Sequence, residues 1–276
     1  MPVVVNWLAR AEVKNRFTRI ELLTVKENTG VSANCNRIIN AATSEWIKFI
    51  AGDDILLPNC IADNRAFAEK NPEAKVIFSQ VKLYKEKFTG SAYIRDIPAN
   101  YPDNLMHPEL TAKDQFELLL LADRINYTPS YFFSKQAVLA VGGYEEHHTG
   151  IEDYPMWLKL TKAGYRLHYF HHPTVGYRMH ANALNNNAWQ GTVRPDYNKI
   201  HQMRQQVAHP YLPWEIAARE NFAFYVARIV TFFNLHQRTG MVKKAYRFII
   251  HYLNPFNYLY HIKKRLPGSH RASHFY

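Results

Sequence analysis

Two pairs of adjacent acids are the residues of this chain best suited to do chemistry. Asp53-Asp54 ends a short apolar run, and Glu152-Asp153 follows at a distant point in the sequence. A strand that ends in paired acids, where the backbone turns toward solvent, can offer hard oxygen ligands to a divalent cation. A second acidic pair in the same cleft can then supply a general base. The sequence therefore predicts a cleft that combines a cation site with a proton acceptor.

The elements that must position these acids alternate between strand and helix in the first part of the chain. Short apolar runs predict strands at 20–25, 46–50 and 74–79. Between them, helical patterns with suitable first-turn residues predict helices over 32–42 and 58–70. Such alternation is typical of a parallel sheet covered by helices, and it puts the first acidic pair directly after the second strand.

The second acidic pair is expected at the N-terminus of a helix, where the helix dipole favours negative charge. This helix is predicted from Asp153 to about Ala163, because Gly164 suits a helix C-terminus. An irregular, proline-containing stretch is expected at 84–112. The other elements predicted in this part of the chain are helices at 114–121 and 135–140 and strands at 130–133, 167–170 and 174–178.

Length and composition exclude several classes of protein. A chain of 276 residues with 47% hydrophobic and 14% aromatic residues can bury a full core and is not disordered. The two cysteines, Cys35 and Cys60, suggest neither a disulfide framework nor a metal-ligand spacing, which favours a reducing cytoplasm. We expect no membrane-spanning helix and no signal peptide, because no apolar run is long enough and the start lacks a basic lead.

The positive charge is concentrated toward the C-terminus. Residues 201–276 contain eleven Lys and Arg but two acids, so they carry +9 of the total net charge of +11. This part of the chain is rich in aromatic residues and reads as helical with proline breaks. We therefore predict a domain over 1–196 and a helical, basic and aromatic extension over 197–276. No nucleic-acid motif accompanies the basic residues, so we expect no nucleic-acid partner.

Several short segments stand in an order that is found in a known enzyme family. They are Asn28–Asn36, Ala51–Asp54, Gly142–Glu145, Gly150–Asp153 and Tyr177–His180. In order and spacing they resemble the family 2 glycosyltransferases, inverting enzymes that use nucleotide sugars, over about residues 20–185. The resemblance implies an α/β fold of the GT-A type, with a Rossmann-like, mostly parallel sheet and flanking helices.

The resemblance also implies roles for residues on the donor side. Asp54 and His180 would hold a divalent cation, Mg or Mn, on the donor diphosphate. Asp53 would contact the ribose or the sugar, Arg178 would hold phosphate oxygens, and Asn36 would contribute to the donor site. The implied donor is a nucleotide sugar of the UDP or dTDP type. An exposed turn without a ligand is the alternative for the first acidic pair.

On the acceptor side, the resemblance implies that Asp153 is the catalytic base of an inverting transfer. One carboxylate must remove the proton from the acceptor hydroxyl as that oxygen attacks the anomeric carbon. Glu152 would orient the acceptor, a glycan or lipid-linked glycan in surface polysaccharide assembly. The alternative for Asp153 is a simple acid in the first turn of a helix.

The chain departs from the family pattern at its start. Family members open with strands that bind the nucleotide base and the ribose, whereas 20–25 already corresponds to the third strand of the family. The chain is therefore expected to be N-terminally shortened. Two hypotheses follow, namely a metal-dependent glycosyltransferase and a truncated, non-catalytic member that only binds an acceptor or partner.

The C-terminal extension over 197–276 predicts where the protein is located in the cell. Basic, aromatic-rich helices can lie in the interface of an anionic membrane. We expect such contact for 241–266, whereas 215–238 is expected to pack on the body of the protein. The expected location is the cytoplasm, with peripheral contact to the inner face of the plasma membrane.

Overall fold

The computed structural model of the protein describes residues 2–147, 150–180, 189–265 and 274–275. One six-stranded sheet with helices packed against it forms the first part of the chain, and further helices follow toward the C-terminus. The predicted α/β class and the helical C-terminal region are therefore confirmed.

The sheet has a short strand at each edge and its longest strands in the middle. The strands are β1 (Trp46–Lys48), β2 (Ile55–Leu56), β3 (Val76–Lys85), β4 (Tyr93–Ile97), β5 (Phe132–Ser134) and β6 (Leu167–Met179). Their order is β1-β5-β3-β6-β2, and β4 pairs with β3 outside this path. The single long strand β6 replaces the two short strands predicted at 167–170 and 174–178.

The strand directions correct one detail of the expected fold, because the sheet is mixed rather than mostly parallel. In the described part of the chain, β3 and β6 form the one parallel pair, and the other paired strands are antiparallel. The physical reason is that β5 inserts between β1 and β3 and runs antiparallel to both. β1 and β3 therefore share a direction, as the alternating pattern predicted, but they are not hydrogen-bonded neighbours.

The helices follow the predicted pattern more closely than the strands do. They are α1 (Pro2–Leu8), α2 (Ala11–Lys14), α3 (Gly30–Ala41), α4 (Cys60–Lys70), α5 (Asp103–Met106), α6 (Ala112–Leu121), α7 (Lys135–Ala140), α8 (Asp153–Lys162), α9 (Tyr197–Val207), α10 (Trp214–Phe232), α11 (Met241–Tyr252) and α12 (Pro255–Arg265). The strand predicted at 20–25 is not formed. Its apolar side chains Ile20, Leu22 and Val25 are 39–47% exposed, and no described strand pairs with the segment. These side chains therefore do not form a buried face of the kind that would stabilise a strand.

Aromatic packing fixes α8 against the centre of the sheet. Phe78 on β3 is fully buried, and its ring meets the Trp157 ring of α8 edge-on, with centroids 4.9 Å apart. Tyr131, just before β5, stands edge-on to the same indole at 4.7 Å. Such pairs are favourable beyond the apolar area that they bury. They hold α8, and with it Asp153 in its first turn, at one end of the sheet.

A buried polar network ties α9 and α10 to the same helix. Arg204 donates to the Tyr154 hydroxyl at 2.7 Å and to the Leu120 carbonyl at 2.8 Å. Its guanidinium also forms a bidentate pair with Glu220 at 2.6 and 2.9 Å, and His209 Nε2 lies 2.9 Å from Glu220 Oε2. The Arg204 and Glu220 side chains are only 13% and 21% exposed. The first turn of α8 is therefore held by side chains from the C-terminal helices.

We expect Glu220→Gln to lower the free energy of unfolding by about 3–5 kcal/mol, because the buried Arg204 charge loses its partner. Burial alone would raise the pKa of Glu220, but hydrogen bonds with His209 and Arg204 outweigh it and hold the pKa at about 2. The unfolded pKa is near 4.5, so this stabilisation is complete above pH 4.5 and is lost as pH falls toward 2.

Urea unfolding at neutral and acid pH measures this effect. The wild type should lose stability relative to Glu220→Gln as the solution is acidified. The double variant Arg204→Met/Glu220→Gln should recover part of the loss at neutral pH, because it removes both charges. Equal stability of Glu220→Gln and the wild type at neutral pH would contradict the role given to this network.

Candidate functional site

A cleft of about 680 Å³ lies where β1 ends, between α3 and the first turn of α8. Both predicted acidic pairs, Asp53-Asp54 and Glu152-Asp153, line this cleft. A further carboxylate, Asp123, also lines it and was not identified from the sequence, because no motif surrounds it. The fold therefore gathers acids from three distant parts of the chain around one open space.

The first acidic pair is positioned by the short strand that follows it. β2 pairs with the end of β6, and this pairing brings the turn before β2 against residues 178–180. The Arg178 backbone N–H donates to Asp54 Oδ1 at 3.0 Å, and His180 Nε2 lies 3.0 Å from Asp53 Oδ2. Burial raises the pKa of Asp54 to about 6, whereas the hydrogen bond with His180 lowers the pKa of Asp53. Four of the predicted site residues thus lie together.

The same residues can be tested for their fit to a cation. Two carboxylates and one imidazole have the donor chemistry that Mg and Mn accept in proteins. Within the described residues, however, no three His, Cys, Asp or Glu side chains are grouped so that they could hold a metal ion. Asp53 and His180 are bonded to each other, and one oxygen of Asp54 accepts from the backbone. These side chains are of the types that bind Mg or Mn. A bound ion would have to compete with the hydrogen bond between Asp53 and His180.

Arg178 offers a hydrogen-bond donor beside this pair. Its guanidinium carbon lies 5.5 Å from the centre of the Phe88 ring, so the side chain is stacked on an aromatic surface. Its Nε is buried and has no hydrogen-bond partner in the part of the chain that the structure describes. A guanidinium with an unused donor can bind the oxygens of a phosphate.

The second acidic pair begins α8. Asp153 is the first residue of the helix, and Glu152 directly precedes it. Burial raises the pKa of Asp153 to about 7, and the charges of Glu152 and Asp123 add to this effect. A carboxylate with a pKa near neutrality can accept and release a proton at physiological pH. Glu152 Oε2 is buried and accepts no hydrogen bond from any described residue, so a hydroxyl group of a ligand could satisfy it.

The two cysteines differ in their surroundings. Cys60 is 1% exposed, as expected of a small buried side chain, whereas Cys35 is half-buried in the wall of the cleft. Burial, followed by the charges of Asp153 and Glu152, raises the pKa of the Cys35 thiol to about 12. The thiol is therefore protonated at neutral pH, so Cys35 is not suited to act as a nucleophile.

Asn36 lies beside the cleft lining but points its amide at a neighbouring loop. Asn36 Oδ1 accepts from the Tyr144 N–H at 2.8 Å, and its Nδ2 donates to the Tyr144 carbonyl and to Glu146 Oε1. The approach requires Gly143, because a Cβ atom there would stand 2.6 Å from Asn36 Oδ1. The structure therefore shows Asn36 hydrogen-bonded to the loop that carries Tyr144, while its contribution to the donor site stays a prediction.

Lys48 is a further residue of the site that sequence analysis missed. Its ammonium group donates to the Pro129 carbonyl and, at 3.1 Å, to the Tyr131 carbonyl. Burial lowers the pKa of Lys48 to about 8. These bonds hold the turn at 128–131, of which Thr128, Pro129 and Tyr131 line the cleft. The available signal was a lysine inside an otherwise apolar strand, which is unusual because burying a charge is costly without partners.

Residues 8–129 match the model of the family described as glycosyl transferase family 2. An uncharacterized glycosyltransferase of Haemophilus influenzae is 23% identical over 145 residues, which is 52% of this chain and 49% of that protein. The amylovoran biosynthesis glycosyltransferase AmsE of Erwinia amylovora is 23% identical over 144 residues, or 52% of this chain and 48% of AmsE. The chain thus spans about half the length of these curated relatives.

In fold, the protein is similar to the crystal structure of S. aureus TarS 1-349 in complex with UDP-GlcNAc, with a TM-score of 0.52 and 12% sequence identity. The similarity covers 91% of this chain and 66% of that chain. It confirms the GT-A fold that the sequence implied. By the family model and the curated relatives, residues 8–129 are similar to the family 2 glycosyltransferases, as the sequence implied.

Proposed function

We propose that the chain transfers a sugar, with inversion, from a UDP- or dTDP-type nucleotide sugar to a glycan or lipid-linked acceptor in surface polysaccharide assembly. The observation that carries this proposal is the single cleft lined by both acidic pairs. The names of two similar proteins support it, since AmsE acts in amylovoran biosynthesis and the TarS crystal structure is a complex with UDP-GlcNAc.

On the donor side, Asp54 and His180 would hold a Mg or Mn ion, which when bound neutralises charge on the donor diphosphate. Asp53 contacts the ribose or the sugar from the same turn. Arg178 binds phosphate oxygens through its guanidinium, whose Nε–H has no partner among the described residues, and its position over an aromatic ring limits the freedom that it loses on binding. The contribution of Asn36 to the donor site is indirect, through the Tyr144 loop.

On the acceptor side, Asp153 removes the proton from the acceptor hydroxyl. The hydroxyl oxygen forms a bond to the anomeric carbon, and the bond to the nucleoside diphosphate breaks on the opposite face. The raised pKa of Asp153 makes it a stronger base than an exposed carboxylate, while leaving it largely ionised above pH 7. Glu152 orients the acceptor, because its buried Oε2 accepts a hydrogen bond from a second hydroxyl group of the acceptor.

We also propose a cytoplasmic location with peripheral contact to the inner face of the plasma membrane. Both cysteines are free, which is compatible with a reducing compartment. A lipid-linked acceptor would be accessible there.

Calorimetric titration with UDP and UDP-GlcNAc, in MnCl2 and in EDTA, tests this function. We expect saturable binding of both ligands in MnCl2 and at least about tenfold weaker binding in EDTA, because the ion bridges protein and diphosphate. ATP serves as the control nucleotide, and dTDP-glucose distinguishes the two donor types. Absence of saturable binding by any pyrimidine nucleotide would contradict the proposal and favour the non-catalytic alternative.

A further inference from the structure

The end of α10 and the outer side of α11 expose large apolar side chains that no described part of the chain covers. We name this the α10–α11 surface. Its residues are Ile229 (58% exposed), Phe232 (80%), Phe233 (63%), Met241 (86%), Phe248 (53%) and Tyr252 (63%). The two helices pack against each other, so these side chains belong to neighbouring elements. Exposed apolar patches of this kind mark sites of protein or membrane interaction.

The side chains of this surface recur at helical spacing, so each helix presents one outward stripe. On α10, Phe224 and Ala227 are buried against the body of the protein, whereas Ile229 and Phe232 point outward. On α11, the exposed Met241, Phe248 and Tyr252 stand at the intervals of one helix face. A stripe this apolar needs a partner that is itself apolar.

The charge around the surface indicates which partner that is. Residues 221–276 contain nine Lys and Arg and no acid. Arg228, Lys244 and Arg247 on the two helices are exposed, and none of the ion pairs among the described residues uses them. Apolar side chains beside unpaired cations match an anionic lipid bilayer, in which the acyl region and the headgroups satisfy both.

The basic residues of α12 have a different environment. Lys263 Nζ lies 2.8 Å from Glu215 Oε1, and Glu215 is completely buried. Lys263 also lies 5.7 Å from the centre of the Trp214 ring. α12 is therefore docked on α10, which differs from the expected division into a packed 215–238 and a membrane-bound 241–266. The exposed face instead joins the end of α10 to α11.

We propose that the α10–α11 surface binds anionic phospholipid bilayers, with its apolar side chains in the interface and its cations on the headgroups. None of the helices in the described ranges has the length and apolar character needed to cross a bilayer. The inference does not depend on the proposed transferase chemistry. If both hold, the contact keeps the enzyme at the surface where lipid-linked acceptors lie.

Vesicle flotation of the full chain tests the inference, with phosphatidylcholine vesicles that contain or lack phosphatidylglycerol. We expect flotation with the anionic vesicles at low salt and loss of flotation at high salt. Lys244→Ser/Arg247→Ser should weaken binding on the order of thirtyfold, because each cation near the surface contributes roughly fivefold. Phe232→Ser/Phe248→Ser should weaken it at least as strongly and reduce binding even at low salt.

The matched control is Lys26→Ser/Lys70→Ser, which removes the same net charge from exposed positions outside the surface. It should float like the wild type. Equal losses in the control and in Lys244→Ser/Arg247→Ser would overturn the proposal, since net charge alone would then explain binding. It would also be overturned if the wild type were a dimer without lipid and Phe232→Ser/Phe248→Ser made it a monomer, because a second copy would then cover the surface.

Discussion

Asp153→Asn is expected to lower the rate of sugar transfer by about 10²–10⁴-fold, because the amide cannot accept the proton of the acceptor hydroxyl. The substitution nearly preserves size and shape, and it removes a charge whose burial is unfavourable, so the fold should be retained. Donor affinity should stay within a few-fold of the wild type. Transfer assays and donor titrations on the same preparations measure the two quantities separately. A parallel fall in both would make Asp153 a binding residue.

The pH dependence of kcat/KM tests the role of Asp153 independently of the substitution. The pKa of Asp153 is raised to about 7, so the base is protonated and inactive in acid. kcat/KM of the wild type should therefore rise with pH up to about 7 and level off above it, and this rise should be absent in Asp153→Asn. Glu152 contributes to the raised pKa, so Glu152→Gln should move the rise to lower pH. Persistence of the rise in Asp153→Asn would show that Asp153 does not control the profile.

Asp54→Asn is expected to abolish the dependence of donor binding on Mn, lowering affinity in MnCl2 by at least about tenfold, to the value that the wild type has in EDTA. The variant isolates the charge, because Asn Oδ1 can still accept from the Arg178 N–H and keep the turn in place. Titration with UDP in MnCl2 and in EDTA measures the effect, and the two conditions should give similar affinities for the variant.

The matched control for this substitution is Asp63→Asn. Asp63 lies on α4, outside the cleft lining, where its carboxylate is paired with the exposed His172. This control should bind UDP like the wild type. If Asp54→Asn kept full Mn-dependent binding, the cation site would have to be placed elsewhere, and the first acidic pair would be a turn.

Local patterns in the sequence predict the helices better than the sheet. α7 and α8 begin and end close to the predicted positions, because their boundaries depend on nearby glycines and apolar spacing. Strand direction depends on partners that are distant in sequence, and the insertion of β5 between β1 and β3 leaves no local signal. β2 has only two residues, which is too short for any periodicity, yet its pairing with β6 places the first acidic pair.

The candidate site shows the same division between local and long-range information. The acidic pairs could be predicted because each combines paired carboxylates with a chain turn. Asp123 and Lys48 could not be assigned, because their importance comes from burial and from contacts made by the fold. Asn36 sits in a segment that resembles a family motif, but its amide binds the backbone of Tyr144, 108 residues away. A pattern of residue types does not reveal such a contact.

The network of Arg204, Glu220 and Tyr154 means that the C-terminal helices cannot be exchanged independently of α8. Exchanging residues 197–276 for the helices of a similar glycosyltransferase would also exchange Arg204 and Glu220, which hold the first turn of α8. Such a chimera must keep an arginine and a glutamate that reach Tyr154, since Tyr154 follows Asp153 directly in α8. Without them, the graft would loosen the first turn of α8, which carries Asp153, so a change in activity could not be assigned to the exchanged helices.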